Sequence, residues 1–157
     1  MEREPYIALA RERAFLLYEG KKTPHRSCGI ALAESFGLPT RSYQALRRGG
    51  LTGEGTCGAV HAGVLVLGEL LGDPDPTGAP SALLRQAIPL YRSRIAERLQ
   101  DSPERTCNSR VAAFPDFMGT DRKDYCTHLA ATVAEVVAEV LWDLGHPQPI
   151  PDWSPGS

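Results

Sequence analysis

The stretch CTHLAATVAEVVAEVLWDL, residues 126 to 144, constrains the fold more than any other part of the chain. Cys126, Leu129, Ala130, Val133, Val137, Val140, Leu141 and Leu144 recur at steps of three and four, so they share one face of a helix opposite Glu135 and Glu139. Such a stripe cannot stand alone in water. It predicts neighbouring helices with apolar faces of their own, and these are readable upstream. Residues 5 to 19 place Ile7, Ala10, Ala14 and Leu17 on one face and end at Gly20. Ser27 reads as the N-cap of CGIALAESF, with Cys28 in its first turn. A short helix, SYQALRR, leads into the glycine-rich GGLTGEG, after which Thr56 reads as the cap of a central helix. In that helix Gly58, Ala59, Ala62 and Gly63 allow close packing, while Val60, Val64, Leu67 and Leu71 are apolar.

After the proline-rich link from Gly72 to Ser81, a further helix to Leu99 carries Leu84, Ile88, Tyr91 and Ile95, with Pro89 predicted to kink it. Ser102 followed by Pro103 reads as a new helix start, which puts Cys107 on or just beyond a short turn. Alternating apolar residues, the mark of a half-buried strand, occur nowhere in a sustained run. The expected fold is therefore all-α: a single-domain helical bundle of about five or six helices over residues 1–144. The proline-rich tail, residues 145–157, is expected to be disordered.

Composition narrows the function classes. With 17 Lys and Arg against 19 Asp and Glu in 157 residues, the net charge is −2 and gives no basic surplus for binding nucleic acid. Charged residues at Arg11, Glu12 and Arg13 do not suit a secretion signal, and the apolar run from Ala59 to Leu71 is too short to span a bilayer. We therefore expect a cytoplasmic protein with no membrane partner. In that compartment four cysteines point to metal or redox chemistry rather than to structural disulfides. No phosphate-binding loop, dinucleotide fingerprint, haem-attachment CxxCH or HExxH motif is present.

Cys28 and Cys57 fall at or just after helix starts, where free N–H groups and the helix dipole favour a thiolate; on that basis Cys57 is the expected attacking thiol of an exchange couple. Three readings of Cys28, Cys57, Cys107 and Cys126 stay open: ligands of a shared cluster or metal, pairs for thiol–disulfide exchange, or small apolar residues in a core. Their separations of 29, 50 and 19 residues match no compact CxxC signature. His61, four residues after Cys57, could reach the same metal, although a lone histidine is more often a satisfied core residue. Glu54 reads as exposed, and His128 as solvated on the Glu135 side. Arg85, Arg92, Arg94, Arg98, Arg105 and Arg110, interspersed with acids, read as an ordinary solvated face rather than a dock for an acidic partner.

The order of Cys28, then GGLTGEGTCGAVHAGVLVLG, then Cys107 and Cys126 before a valine-rich helix resembles the redox-active family named for its C_GCAxxG_C_C pattern, over roughly residues 26 to 144. One position departs: after the alanine of the central motif the chain has His61 and Ala62 before Gly63. The resemblance implies a helical, redox-active protein; a similar four-cysteine domain in split-Soret cytochromes is thought to hold an iron–sulfur cluster. The expected function is electron transfer through Cys28, Cys57, Cys107 and Cys126, with a redox protein or small electron donor or acceptor as partner. Pairing of two copies stays open. Thiol–disulfide exchange and a helical interaction module are the alternatives.

Overall fold

The computed structural model describes residues 1–152, and among these the secondary structure is helical. Six α-helices run in order: α1 (Arg3–Glu19), α2 (Cys28–Ser35), α3 (Gly58–Leu71), α4 (Ala82–Leu99), α5 (Cys107–Val111) and α6 (Thr120–Asp143), with a 3-10 helix at Arg41–Leu46 between α2 and α3. The bundle is the expected all-α fold. Helix α6 is its axis: Val133, Val136, Val137, Val140 and Leu141 are fully buried, and α1 lies along it more extensively than any other pair of helices. Helices α2, α3 and α4 pack on the rest of α6, so every face of its stripe is covered by apolar side chains.

Small residues set how closely the helices approach. A Cβ on Gly63 would come within 2.1 Å of the Tyr91 hydroxyl oxygen, and that hydroxyl, wholly buried on α4, donates to the Val60 carbonyl at 2.6 Å. The missing methyl group thus lets α4 anchor to α3 by a hydrogen bond inside the core. No helix is long and apolar enough to cross a membrane among the described residues.

Several expectations need correction. The tail is packed as far as it is described: Gln148 N–H donates to the Tyr6 hydroxyl at 3.0 Å, and Ile150 packs on the core; residues 153–157 lie outside the described residues. Pro147, Pro149 and Pro151 have no amide hydrogen to donate, and they lie in a segment with no regular secondary structure. The caps shift too. Cys57 itself is the N-cap of α3, Thr106 Oγ1 caps α5 by accepting from Ser109 N–H at 3.1 Å, and Gly119 precedes α6. Glu139 is buried, not solvated, because Arg98 donates to both its oxygens at 2.8 and 2.9 Å.

Candidate functional site

Four different elements each deliver one cysteine to a single cavity. Cys28 opens α2, Cys57 caps α3, Cys107 opens α5, and Cys126 lies one turn and a half into α6. All four line a cavity of about 60 Å³, together with Tyr18, Tyr125, Phe117 and three arginines, Arg48, Arg110 and Arg122. The lining contains no carboxylate. All four thiols are free, Cys57 buried and the others partly exposed.

The glycine-rich loop does the positioning. Cys57 N–H donates to the Arg105 carbonyl at 3.2 Å, Cys107 N–H to the Gly55 carbonyl at 3.0 Å, and Asn108 N–H to the Gly53 carbonyl at 2.8 Å. These bonds, with an isolated bridge between Thr56 and Thr106, clip the start of α3 to the start of α5, although 50 residues separate the two cysteines. Gly49 and Gly53 hold left-handed conformations at φ +60° and +79° that a side chain would strain, and a Cβ on Gly49 would stand 2.7 Å from Cys107 Cβ. Gly58 is constrained by space instead. Its Cβ would lie 2.4 Å from the Leu46 carbonyl oxygen and 2.7 Å from Cys28 Sγ, so α3 can meet α2 only through a bare backbone.

The electrostatics reverse one expectation. Burial pushes the Cys28 thiol up to about 12, and the neighbouring Cys57 sulfur adds to the shift. Burial raises Cys57 as well, against the pull of the amides of Val60 and Ala59 and of the Arg110 guanidinium. Helix starts favour thiolates only when the sulfur keeps some solvent, and here desolvation outweighs the dipole. Burial therefore works against the thiolate form of Cys28 and Cys57, opposite to what their helix-start positions led us to expect. Arg48 Nη1 donates to the Cys107 sulfur at 3.2 Å.

Arg110, expected on a solvated face, has a side chain only 1% exposed. Its Nη1 donates to Asp101 at 2.8 Å and its Nη2 to the Ser102 carbonyl at 3.2 Å, while its buried Nε has no partner. Burial opposes its charge, but Cys57, Tyr125 and Asp101 outweigh that and raise it. Arg48 and Arg122 were missed, and Arg110 was placed on a solvated face, because the three carry no motif; only the approach of their elements in space reveals them.

His61 is exposed and lines a separate groove with Thr56, Val60, Tyr91 and Glu104, so it does not share a site with Cys57. His128 is exposed against Phe15, and Glu54 is exposed. Among the described residues, no group of three or more His, Cys, Asp or Glu is disposed to hold a metal ion. No family model, curated protein or solved structure matches the chain.

Proposed function

We propose that the protein is a redox carrier whose four cysteines hold an iron–sulfur cluster. The observation that carries this reading is the convergence of Cys28, Cys57, Cys107 and Cys126, from four elements, on one cavity walled by three arginines and no acid. Thiolates bring negative charge, and a guanidinium-rich wall offsets it where carboxylates would add to it. The unpartnered Nε of Arg110 supplies a buried donor for an anionic occupant. The bare backbone of Gly58 lets Cys28 Sγ pack directly against the start of α3.

A single four-thiolate ion would need all four sulfurs at about 2.3 Å from one point, and the cysteines are not gathered in that way. A cluster spreads its thiolates over several metal atoms, which suits ligands set around a cavity. When bound, it would supply one-electron transfer. The chain's own part is to supply the sulfurs, to offset their charge with Arg48, Arg110 and Arg122, and to exclude bulk water behind Phe117 and Tyr18.

Anaerobic isolation or reconstitution with iron and sulfide tests the proposal. The expected result is brown protein with near-stoichiometric iron and acid-labile sulfide, reduced by Cys57→Ser and Cys107→Ser. Iron-free, colourless protein after reconstitution would overturn it.

The second reading, thiol–disulfide exchange, is favoured by the hydrogen bond from Arg48 to the partly exposed Cys107. In that chemistry Cys107 attacks, not Cys57. Free thiols disappearing in pairs on mild oxidation, with no iron bound, would select it.

A further inference from the structure

One wall of the four-cysteine cavity is a stack of charged and aromatic groups. Phe117, in the link between α5 and α6, has Arg48 Cζ 4.2 Å and Arg122 Cζ 4.1 Å from its ring centroid. Arg122 also donates from Nε to the Phe117 carbonyl at 2.5 Å and from Nη1 to the Tyr18 hydroxyl at 3.0 Å. Arg48 donates from Nη1 to Cys107 Sγ and, at 3.0 Å, to Asn108 Oδ1. The Arg48 backbone lies in the left-handed region at φ +54°, a conformation unfavourable for arginine that places its guanidinium against both Phe117 and Cys107. All three side chains line the cavity, and each is only partly exposed.

We infer that Arg48, Phe117 and Arg122 form the entrance to the cysteine cavity, closing it to bulk solvent and admitting small anions in preference to neutral molecules and cations. The ring is the closing surface, and the two guanidiniums stacked on it hold it in place. The charges of Arg48 and Arg122, with no carboxylate in the lining, make the potential positive on this wall of the cavity, while Arg110 deeper in is paired with Asp101. The chemical class selected is a small electron donor or acceptor carrying carboxylate or comparable negative groups. This rests on the proposed function only in taking the cavity as the working site.

Reduced, metal-free protein tests it without any cluster. The rates at which its thiols react with a dicarboxylate aromatic disulfide and with an uncharged dipyridyl disulfide are compared at one pH. The anionic reagent is expected to gain in the native protein, relative to the same pair of rates on the denatured chain, by about tenfold, and the gain should collapse in high salt. Arg48→Asn keeps a residue that tolerates the left-handed backbone but removes charge and stack, so the gain should fall severalfold while the neutral reagent is little affected. Arg122→Gln should act in the same direction and serves if Arg48→Asn fails to fold. Phe117→Ala should speed both reagents severalfold. Phe15→Ala, an equal truncation outside the cavity wall, should not. An unchanged anionic gain in the folded arginine variant, or equal acceleration in Phe117→Ala and Phe15→Ala, overturns the inference. Failure to bind iron with these reagent results intact would remove the cluster and leave the entrance; iron binding without anion preference would do the reverse.

Discussion

Gly58 shows how much one absent methyl group decides. Alanine is the better helix former by about 1 kcal/mol, yet its Cβ here would lie 2.4 Å from a backbone oxygen that cannot move without shifting the Arg41–Leu46 turn. Overpacking should win, and Gly58→Ala is expected to lose about 1–3 kcal/mol in denaturant unfolding while displacing Cys28. Stability equal to the parent would mean the turn gives way freely. His25 makes a second residue-scale prediction. Burial lowers its pKa against the Tyr18 carbonyl that its Nδ1 faces, and Lys123, Arg47 and Arg122 add to the lowering. Because the folded state prefers the neutral ring, its contribution is present above the unfolded value of about 6.5 and is lost as pH falls through the lower folded value. Unfolding followed from pH 7.5 to 5 should show this loss, and His25→Gln should flatten that part of the curve. At this scale the four cysteines, singled out by type, by helix-start position and by resemblance, do line one cavity, whereas the arginines beside them were not legible, since nothing local distinguishes Arg110 from Arg92.

At the scale of elements, periodicity carried most of the fold. The stripe of α6 and those of α1 and α4 are long enough to average over individual exceptions, so helix type was legible there, while the cap of the short α5 moved by four residues, from Ser102 to Thr106. The two faces of α6 were less legible. Glu139 falls on the polar side by spacing, but Arg94 and Arg98 on α4 reach across to it, and a carboxylate with such partners can be buried where an unpaired one cannot. The ion pairs are consequently unequal. Glu139→Ala should cost about 1–3 kcal/mol, since it leaves the Arg98 fork and the partly buried Arg94 without that acceptor. Glu104→Ala, which breaks the Arg92 pair with side chains 43% and 69% exposed, should cost no more than about 0.5 kcal/mol. Paired chemical-denaturation curves check the contrast, and equal losses would mean that burial adds nothing to the Glu139 network.

For the whole molecule, the candidate site is where distant parts of the chain come together: its lining draws on the starts of α2, α3 and α5 and on α6. The distances along the chain concealed this, because convergence across 50 residues depends on a backbone clip between two loops that has no sequence periodicity. A ligand that bridges the four elements must therefore act on global stability. At a hundredfold excess over its dissociation constant, a ligand specific for the folded state adds about 2.7 kcal/mol, and for a domain of this length that corresponds to a rise of roughly 5–10 °C in Tm. Cys107→Ser separates this coupling from ordinary packing. Cys107 is only partly buried and α5 is held by main-chain bonds to Gly53 and Gly55, so the metal-free variant should unfold within about 1 kcal/mol of the parent. Under anaerobic calorimetry the loaded parent should show the rise in Tm and the variant should show most of it lost. A loaded parent melting at the metal-free temperature would mean that any bound iron sits elsewhere, since an occupant tied to four helices cannot leave their unfolding unaffected.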